Sequence, residues 1–276
     1  MKCPVVFTDL DGTLLDHATY SHEPALPALQ LLRERQIPLV LCSSKTRAEI
    51  EHYRRSLDNR DPFVAENGGG IFIPEGYFDP ATLPPEFAAD RENGCVIIRL
   101  GAPYHALRRT IQELRKEGFA LTGFGDMTVA EVAALTGLPP DQAAMAKARD
   151  FDEPFIFAGN QAQIDELDAR IRARGFCTTR GEFFHLLGNS DKGVAVEILA
   201  SLFREKLGDI STIALGDSPN DLPMLQHADY PVAIRKPDGR HDRRLDLPQL
   251  IKADGIGPAG WNREILRLLG NPGRNR

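Results

Sequence analysis

Four short apolar runs in this chain each end in a polar cluster, and that repetition restricts the possible fold more than any other feature. Residues 5–8 lead into Asp9-Leu10-Asp11-Gly12-Thr13, and 39–41 into Cys42-Ser43-Ser44-Lys45. Residues 63–65 lead into Glu66-Asn67-Gly68-Gly69-Gly70, and 213–215 into Gly216-Asp217-Ser218-Pro219-Asn220-Asp221. A fifth run covers 230–234. Runs this short and continuously apolar suit strands buried on both faces of a parallel sheet. Amphipathic stretches lie between them, as in 190–207, where Val194, Ile198, Leu199, Leu202 and Leu207 share a helical face. Ser190 is the expected N-cap of that helix, and Gly208 ends it. The alternation predicts an α/β fold with a mostly parallel sheet, in which ligands gather at the carboxyl ends of the strands. The four polar clusters should therefore converge on one site.

The 276 residues are enough for one large or two modest domains. Between the apolar runs at 63–65 and 213–215, a different unit recurs: strand 96–100, helix 104–116, strand 119–122, then strand 155–157, helix 161–174, strand 176–178. This block, residues 85–187, is expected to be a second α/β domain inserted into a core formed by 1–84 and 188–276. The Pro-containing segment 79–85 and Gly188-Asn189 are the expected hinges. The tail 270–276 is basic and rich in Gly and Asn and is expected to fray.

The 33 basic and 39 acidic residues leave a net charge of −6, so there is no global field to attract nucleic acid or an anionic membrane. No run approaches the roughly 18 apolar residues of a membrane helix. Cys3, Cys42, Cys95 and Cys177 form no CxxC pair, which argues against structural zinc and against a secreted disulfide framework. Reduced, buried thiols and a cytoplasmic location are the expectation.

Asp9, Asp11, Asp217 and Asp221, brought together, would repel one another unless a cation neutralised them. An oxygen-only cluster without His or Cys suits Mg²⁺ rather than zinc or copper. Gly12 and Thr13 allow a sharp turn whose amides can face an anion. Lys192 stands at a helix start, where the dipole disfavours a cation, so an anionic partner is expected there. Asp9 and Asp11 are two apart, which permits one to attack phosphorus while the other serves as general acid and then base. Other readings stand beside these: Asp221 as a helix cap after Pro219, the run 66–70 as a glycine turn, His185 as a packed or edge histidine, and Trp261 as a packing residue.

The pattern Asp9-x-Asp11-Gly12-Thr13, the hydroxyl of Ser43, Lys192 opening a helix and Gly216-Asp217-x-x-Asn220-Asp221 resemble the four motifs of the haloacid dehalogenase superfamily of phosphatases. The inserted block resembles the α/β cap of the type IIB subgroup, whose members mostly act on sugar phosphates. The stretches 43–49, 66–69, 123–127, 148–154 and 257–261 are similar to those of its mannosyl-3-phosphoglycerate phosphatase branch. The resemblance implies a Rossmann-like parallel-sheet core with an inserted cap, and Mg²⁺-dependent hydrolysis of a small-molecule sugar phosphate. It further implies that Asp9 forms a phosphoaspartyl intermediate and that Asp11 protonates the leaving oxygen and later activates water. The metal would be held by the side chains of Asp9 and Asp217 and the main-chain carbonyl of Asp11, with Asn220 and Asp221 supporting it. Ser43 and Lys192 would bind phosphoryl oxygens. For a glycerate carboxylate the candidate cations are Lys45, Arg47, Arg149 and Arg180, with Lys45 and Arg149 first, beside Ser44. Mannosyl-3-phosphoglycerate is the implied substrate. The alternatives are a glucosyl-3-phosphoglycerate or other sugar-phosphate phosphatase, a phosphosugar mutase, or a non-catalytic sensor.

Overall fold

The computed structural model describes residues 2–83 and 90–270. In chain order the first part contains β1 (Cys3–Thr8), α1 (Leu26–Glu34), β2 (Leu39–Cys42), α2 (Arg47–Ser56), β3 (Phe63–Ala65), β4 (Gly70–Pro74), β5 (Asp90–Glu92) and β6 (Cys95–Arg99). There follow α3 (Tyr104–Lys116), β7 (Leu121–Gly123), α4 (Val129–Thr136), α5 (Pro140–Lys147), β8 (Asp152–Phe157), α6 (Gln161–Arg172), β9 (Cys177–Arg180) and β10 (Phe184–Leu187). The last part holds α7 (Lys192–Leu207), β11 (Ile210–Gly216), α8 (Leu222–Gln226), β12 (Tyr230–Arg235), β13 (Ile251–Ile256) and α9 (Gly257–Gly270).

Among the described residues these strands form two sheets. The larger has the order β13-β12-β11-β1-β2-β3-β4-β6-β5, and its first six strands are parallel. The five apolar runs read from the sequence are β1, β2, β3, β11 and β12, all in this parallel part, and each is almost wholly buried. Apolar clusters cover both faces. Leu10, Leu32, Leu41, Phe63 and Trp261 lie on one side, and Phe7, Val40, Leu199, Phe203 and Leu225 on the other. The Trp261 indole is fully buried in α9 and donates to Thr8 Oγ1 at 3.0 Å, which ties the last helix to the end of β1.

The smaller sheet is antiparallel, with the order β7-β8-β10-β9. One face packs on α3 and α6 through Leu107, Ile111, Phe155, Leu167, Phe184 and Leu186. The strand read at 96–100 does not belong here, contrary to expectation. It is β6, paired antiparallel with β4 from Gly70↔Arg99 to Pro74↔Cys95, so it extends the larger sheet. Its alternate residues Val96 and Ile98 join one apolar cluster and Ile97 the other, which is burial on both faces. The turn Asn93-Gly94, a pair favoured in two-residue hairpins, returns the chain from β5. The chain therefore passes to the smaller sheet after β6, near Gly101. It returns at Gly188, where a Cβ would lie 2.4 Å from the Ala102 main-chain nitrogen, so the outward and returning segments touch and only glycine fits. Pro84 and Pro85 of the expected first hinge, and the tail beyond Gly270, lie outside the described residues.

Three smaller expectations change. The N-cap of α7 is Asp191, whose carboxylate accepts from Val194 N at 3.0 Å, rather than Ser190. Val194 is exposed, because the buried face of α7 is built by Ala195, Val196, Leu199, Leu202 and Phe203. All four cysteines are free, but Cys3 is exposed and Cys177 half-buried. Among the described residues no helix is long and apolar enough to cross a membrane.

Phe151, beside β8, inserts into the large apolar cluster of the other sheet. Phe151→Ala is expected to destabilise the protein by about 3–5 kcal/mol, read as a lower urea midpoint.

Candidate active site

The carboxyl ends of β1, β2, β3 and β11 bring the four polar clusters together. Asp9 follows β1, and its main-chain N–H donates to Leu215 O of β11. The chain then turns at Gly12, with φ of +71°. A Cβ there would stand 2.9 Å from Asp217 Oδ2, so conformation and space both demand glycine. Leu10, Leu14 and Leu15 are fully buried and anchor the loop from below.

Lys192, the first residue of α7, is fully buried, and its Nζ lies 2.7 Å from Asp9 Oδ1 and 2.7 Å from Asp221 Oδ1. The other oxygen of Asp221 accepts from the main-chain N–H groups of Asp217 and Ser218, each at 3.0 Å. Asp217 Oδ1 accepts from Ser218 Oγ at 2.7 Å. One carboxylate oxygen each of Asp9, Asp217 and Asp221 lies within 4.8 Å of the others. Burial, and after it the charge of Asp221, pushes Asp9 well above the usual carboxylate range, with Lys192 only partly opposing. The same two causes push Asp217 up to about 6. Burial disfavours the Lys192 ammonium, but Asp221 and Asp9 outweigh it and raise its pKa.

Three buried acids facing one lysine leave an excess of negative charge that a divalent cation would relieve. The donors fit a hard ion. Asp221 has both oxygens occupied, whereas the second oxygens of Asp9 and Asp217 have no hydrogen bond among the described residues and are not sealed from solvent.

The Asp11 carboxylate is not part of this group. Its side chain is 42% exposed, with Oδ2 3.0 Å from Lys45 Nζ and Oδ1 buried without a hydrogen-bond partner. Lys45 also lies 3.7 Å from Glu49 and is flanked by the rings of Tyr20 and Tyr53. Burial disfavours its charge, yet Asp11 and Glu49 prevail and raise its pKa. Ser43 is fully buried at the end of β2, and its hydroxyl accepts from Lys45 N at 3.2 Å.

Arg149 departs from the expected substrate-facing role. Its guanidinium donates to Ala146 O and Ser44 O, both at 2.8 Å, and faces Glu49 and Asp152. Its donors are turned into the protein, where they brace the segment before β8 against the end of β2. Of the other two cations, Arg47 pairs with Glu51 and stacks on Phe72, and Arg180 lies over Phe184 on the helix-covered side of the smaller sheet.

Residues 66–70 are more than a glycine turn. Glu66 and Asn67 both have positive φ, +51° and +57°, a conformation that non-glycine residues hold only under constraint. The Glu66 carboxylate accepts from the main-chain N–H groups of Asp150 and Phe151, and burial pushes it up to about 8. Asn67 accepts from Asn220 Nδ2 at 3.0 Å and donates to Asp152 Oδ2 at 3.2 Å. Asp152 also holds His185 Nδ1 at 2.8 Å. The sequence reading placed the 66–70 cluster at the site without giving Glu66 or Asn67 a role, and it missed Asp152. The available signal was the pair of polar residues at a strand's carboxyl end ahead of three glycines.

The haloacid dehalogenase-like hydrolase family matches residues 6–90 and 146–238. The glucosyl-3-phosphoglycerate/mannosyl-3-phosphoglycerate phosphatase of Methanococcoides burtonii is 44% identical over 268 residues, 96% of this chain and 97% of that protein. The mannosyl-3-phosphoglycerate phosphatase of Pyrococcus furiosus is 35% identical over 247 residues, 89% and 96% of the two chains. Among solved structures, the sucrose-phosphatase of Synechocystis, in complex with sucrose and phosphate, has a TM-score of 0.61 at 16% identity, covering 97% of this chain and 98% of that one. A phosphatase of the haloalkanoate enzyme superfamily from Bacteroides thetaiotaomicron has a TM-score of 0.67 at 19% identity, covering 98% and 96%.

Because the folded pKa of Asp217 lies above its ordinary 3.8, the metal-free fold keeps a proton that the unfolded chain has released. This group's contribution to stability is thus fully present below about pH 4 and declines up to about pH 6, by on the order of 3 kcal/mol. Denaturation in EDTA across this range should show that loss, Asp217→Asn should remove it, and Mg²⁺ should stabilise the wild type far more than the variant.

Proposed function

The chain belongs to the haloacid dehalogenase-like hydrolase family, and on that premise we propose that it hydrolyses the phosphomonoester of mannosyl-3-phosphoglycerate to mannosylglycerate and inorganic phosphate. The glucosyl compound is the second substrate to consider, because the relative at 44% identity is named for both. The observation that carries the chemistry is the separation of two carboxylates only two residues apart. Asp9 is held inside the buried acid group by Lys192, and Asp11 stands outside it against Lys45.

In the first step an oxygen of Asp9 attacks phosphorus, and the bond from phosphorus to the glycerate oxygen breaks as Asp11, in its carboxylic acid form, gives that oxygen the proton it took from water in the preceding turnover. In the second, Asp11 takes a proton from water, the water oxygen attacks the phosphoaspartyl group, and the bond from Asp9 to phosphorus breaks. Lys192 holds the Asp9 carboxylate through Oδ1, and its charge opposes the negative charge that moves through the transition state. Ser43 offers its hydroxyl to a phosphoryl oxygen. Asp9, Asp217 and the main-chain carbonyl of Asp11 would hold Mg²⁺, with Asp221 and Asn220 orienting the loop that carries Asp217. When bound, that ion neutralises the acids and polarises a phosphoryl oxygen. Lys45, beside Asp11, would meet the glycerate carboxylate once the leaving oxygen reaches Asp11; its 3.0 Å contact with Asp11 supports this reading. The smaller sheet and its helices act as the cap over the sugar.

Asp9→Asn is expected to lower phosphate release by at least about 10³-fold with the melting temperature preserved. Near-normal turnover in that variant would rule out Asp9 as nucleophile. Asp11→Asn should lose much more activity on a glycosyl-phosphoglycerate than on an aryl phosphate, whose leaving group needs no proton. Phosphate release equal to substrate loss, abolished by EDTA, separates hydrolysis from phosphoryl return to a sugar hydroxyl.

A further inference from the structure

The smaller sheet has one face covered by α3 and α6 and one face turned toward the larger sheet. Cross-strand pairing identifies the residues on the second face. His185 is opposite Pro154 and Thr179, Leu187 is opposite Asp152 and Cys177, and Thr122 is opposite Ile156. Side chains alternate along a strand, so these residues share the side opposite Phe155, Phe184 and Leu186. Asp152 proves which way that side looks, because its carboxylate reaches Asn67 at the end of β3, and Asn67 in turn holds Asn220 beside the Asp217 loop.

His185 is the polar ring on this face, and its two nitrogens have different surroundings. Nδ1 lies 2.8 and 3.0 Å from the two oxygens of Asp152, which fixes the ring plane. Nε2 has no protein partner among the described residues and is not sealed from solvent. Thr179 and Thr122 are half-buried on the same face, and neither hydroxyl has a hydrogen-bond partner among the described residues. Ile156, 39% exposed, adds an apolar surface between them. A fixed outward nitrogen, two free hydroxyls and an exposed aliphatic group match the needs of a sugar ring, which presents hydroxyls at its edge and C–H groups on its faces.

We propose that His185 is a specificity-determining residue of the site: its Nε2 hydrogen-bonds a hydroxyl of the glycosyl group, with Thr179 beside it on the neighbouring strand. This rests on the proposed sugar-phosphate phosphatase activity and deepens it. Asp152 and Asn67 are positioning residues. Through them the sugar-reading face is held in register with the loop that carries Asp217, so the sugar and the phosphate are measured against one frame.

Two substitutions separate recognition from bracing. His185→Asn keeps an amide where Nδ1 meets Asp152 and removes the outward nitrogen; His185→Gln restores a donor near the position of Nε2. Steady-state kinetics with mannosyl-3-phosphoglycerate, free 3-phosphoglycerate and p-nitrophenyl phosphate would be compared in Mg²⁺, with melting temperatures alongside. The expected result for His185→Asn is a KM raised at least about tenfold for the glycosylated substrate. Values for the two sugar-free substrates should stay within about twofold, and the glutamine variant should recover part of the loss. An unchanged KM for the glycosylated substrate, or a parallel loss on all three, overturns the proposal. If the wild type prefers a different sugar phosphate, the mannosyl-3-phosphoglycerate reading falls. The same comparison on the preferred sugar phosphate then decides His185, a raised KM supporting it and an unchanged one overturning it. A wild type that hydrolyses only the aryl phosphate overturns both.

Discussion

The buried ammonium of Lys192 between Asp9 and Asp221 is the interaction on which the site depends. Without it, three largely buried carboxylates would face one another with no protein countercharge, and burying an uncompensated charge is among the most costly changes a fold can suffer. The lysine is held as firmly as it holds. It opens α7 directly after the cap residue Asp191, and Asp221 spends its second oxygen on the amides of Asp217 and Ser218. One cation thereby locks the end of β1, the start of α7 and the loop after β11 into a single arrangement. It also breaks the symmetry of the Asp9 carboxylate, fixing one oxygen and leaving the other open.

Asp11 sits two residues away under different physics. It is part-exposed and held by Lys45, which itself stays charged because Asp11 and Glu49 outweigh the effect of burial. Two aspartates of one tripeptide thus have separate partners, one lysine each, and the sharp turn at Gly12 lets both side chains diverge from one strand end. A reaction that needs a nucleophile and a separate proton carrier needs that kind of separation.

The two sheets are joined by more than the crossing segments near Gly101 and Gly188. Thr46 donates to Met145 O, Arg149 to Ser44 O, the Glu66 carboxylate accepts two amides before β8, and Phe151 fills the apolar cluster of the larger sheet. Most of these contacts converge on residues 145–152. The consecutive positive φ angles of Glu66 and Asn67 cost on the order of 1 kcal/mol or more each, and this web of hydrogen bonds sustains them. Strain at this elbow places Asn67 where it bridges the two sheets.

The parallel strands and the convergence of Asp9, Asp217, Asp221 and Lys192 were legible because they follow from local pattern: short apolar runs, each ending in charge, obey a rule that holds for any sheet of this kind. The strand at 95–99 was assigned to the wrong sheet because an apolar run states that it will be buried and not beside which neighbour. Arg149 was read as facing a ligand because charge alone does not reveal whether the partner is a substrate or a main-chain oxygen 105 residues away in sequence. Asn67, Asp152 and His185 meet only because three distant segments cross at one point. The sequence by itself determined the five strands β1, β2, β3, β11 and β12, the acid cluster of Asp9, Asp217 and Asp221, and its lysine, since these depend on periodicity and on motifs a few residues long. Only the tertiary structure decided which side chains bridge the two sheets, because hydrogen bonds between remote segments depend on distances that no local pattern encodes.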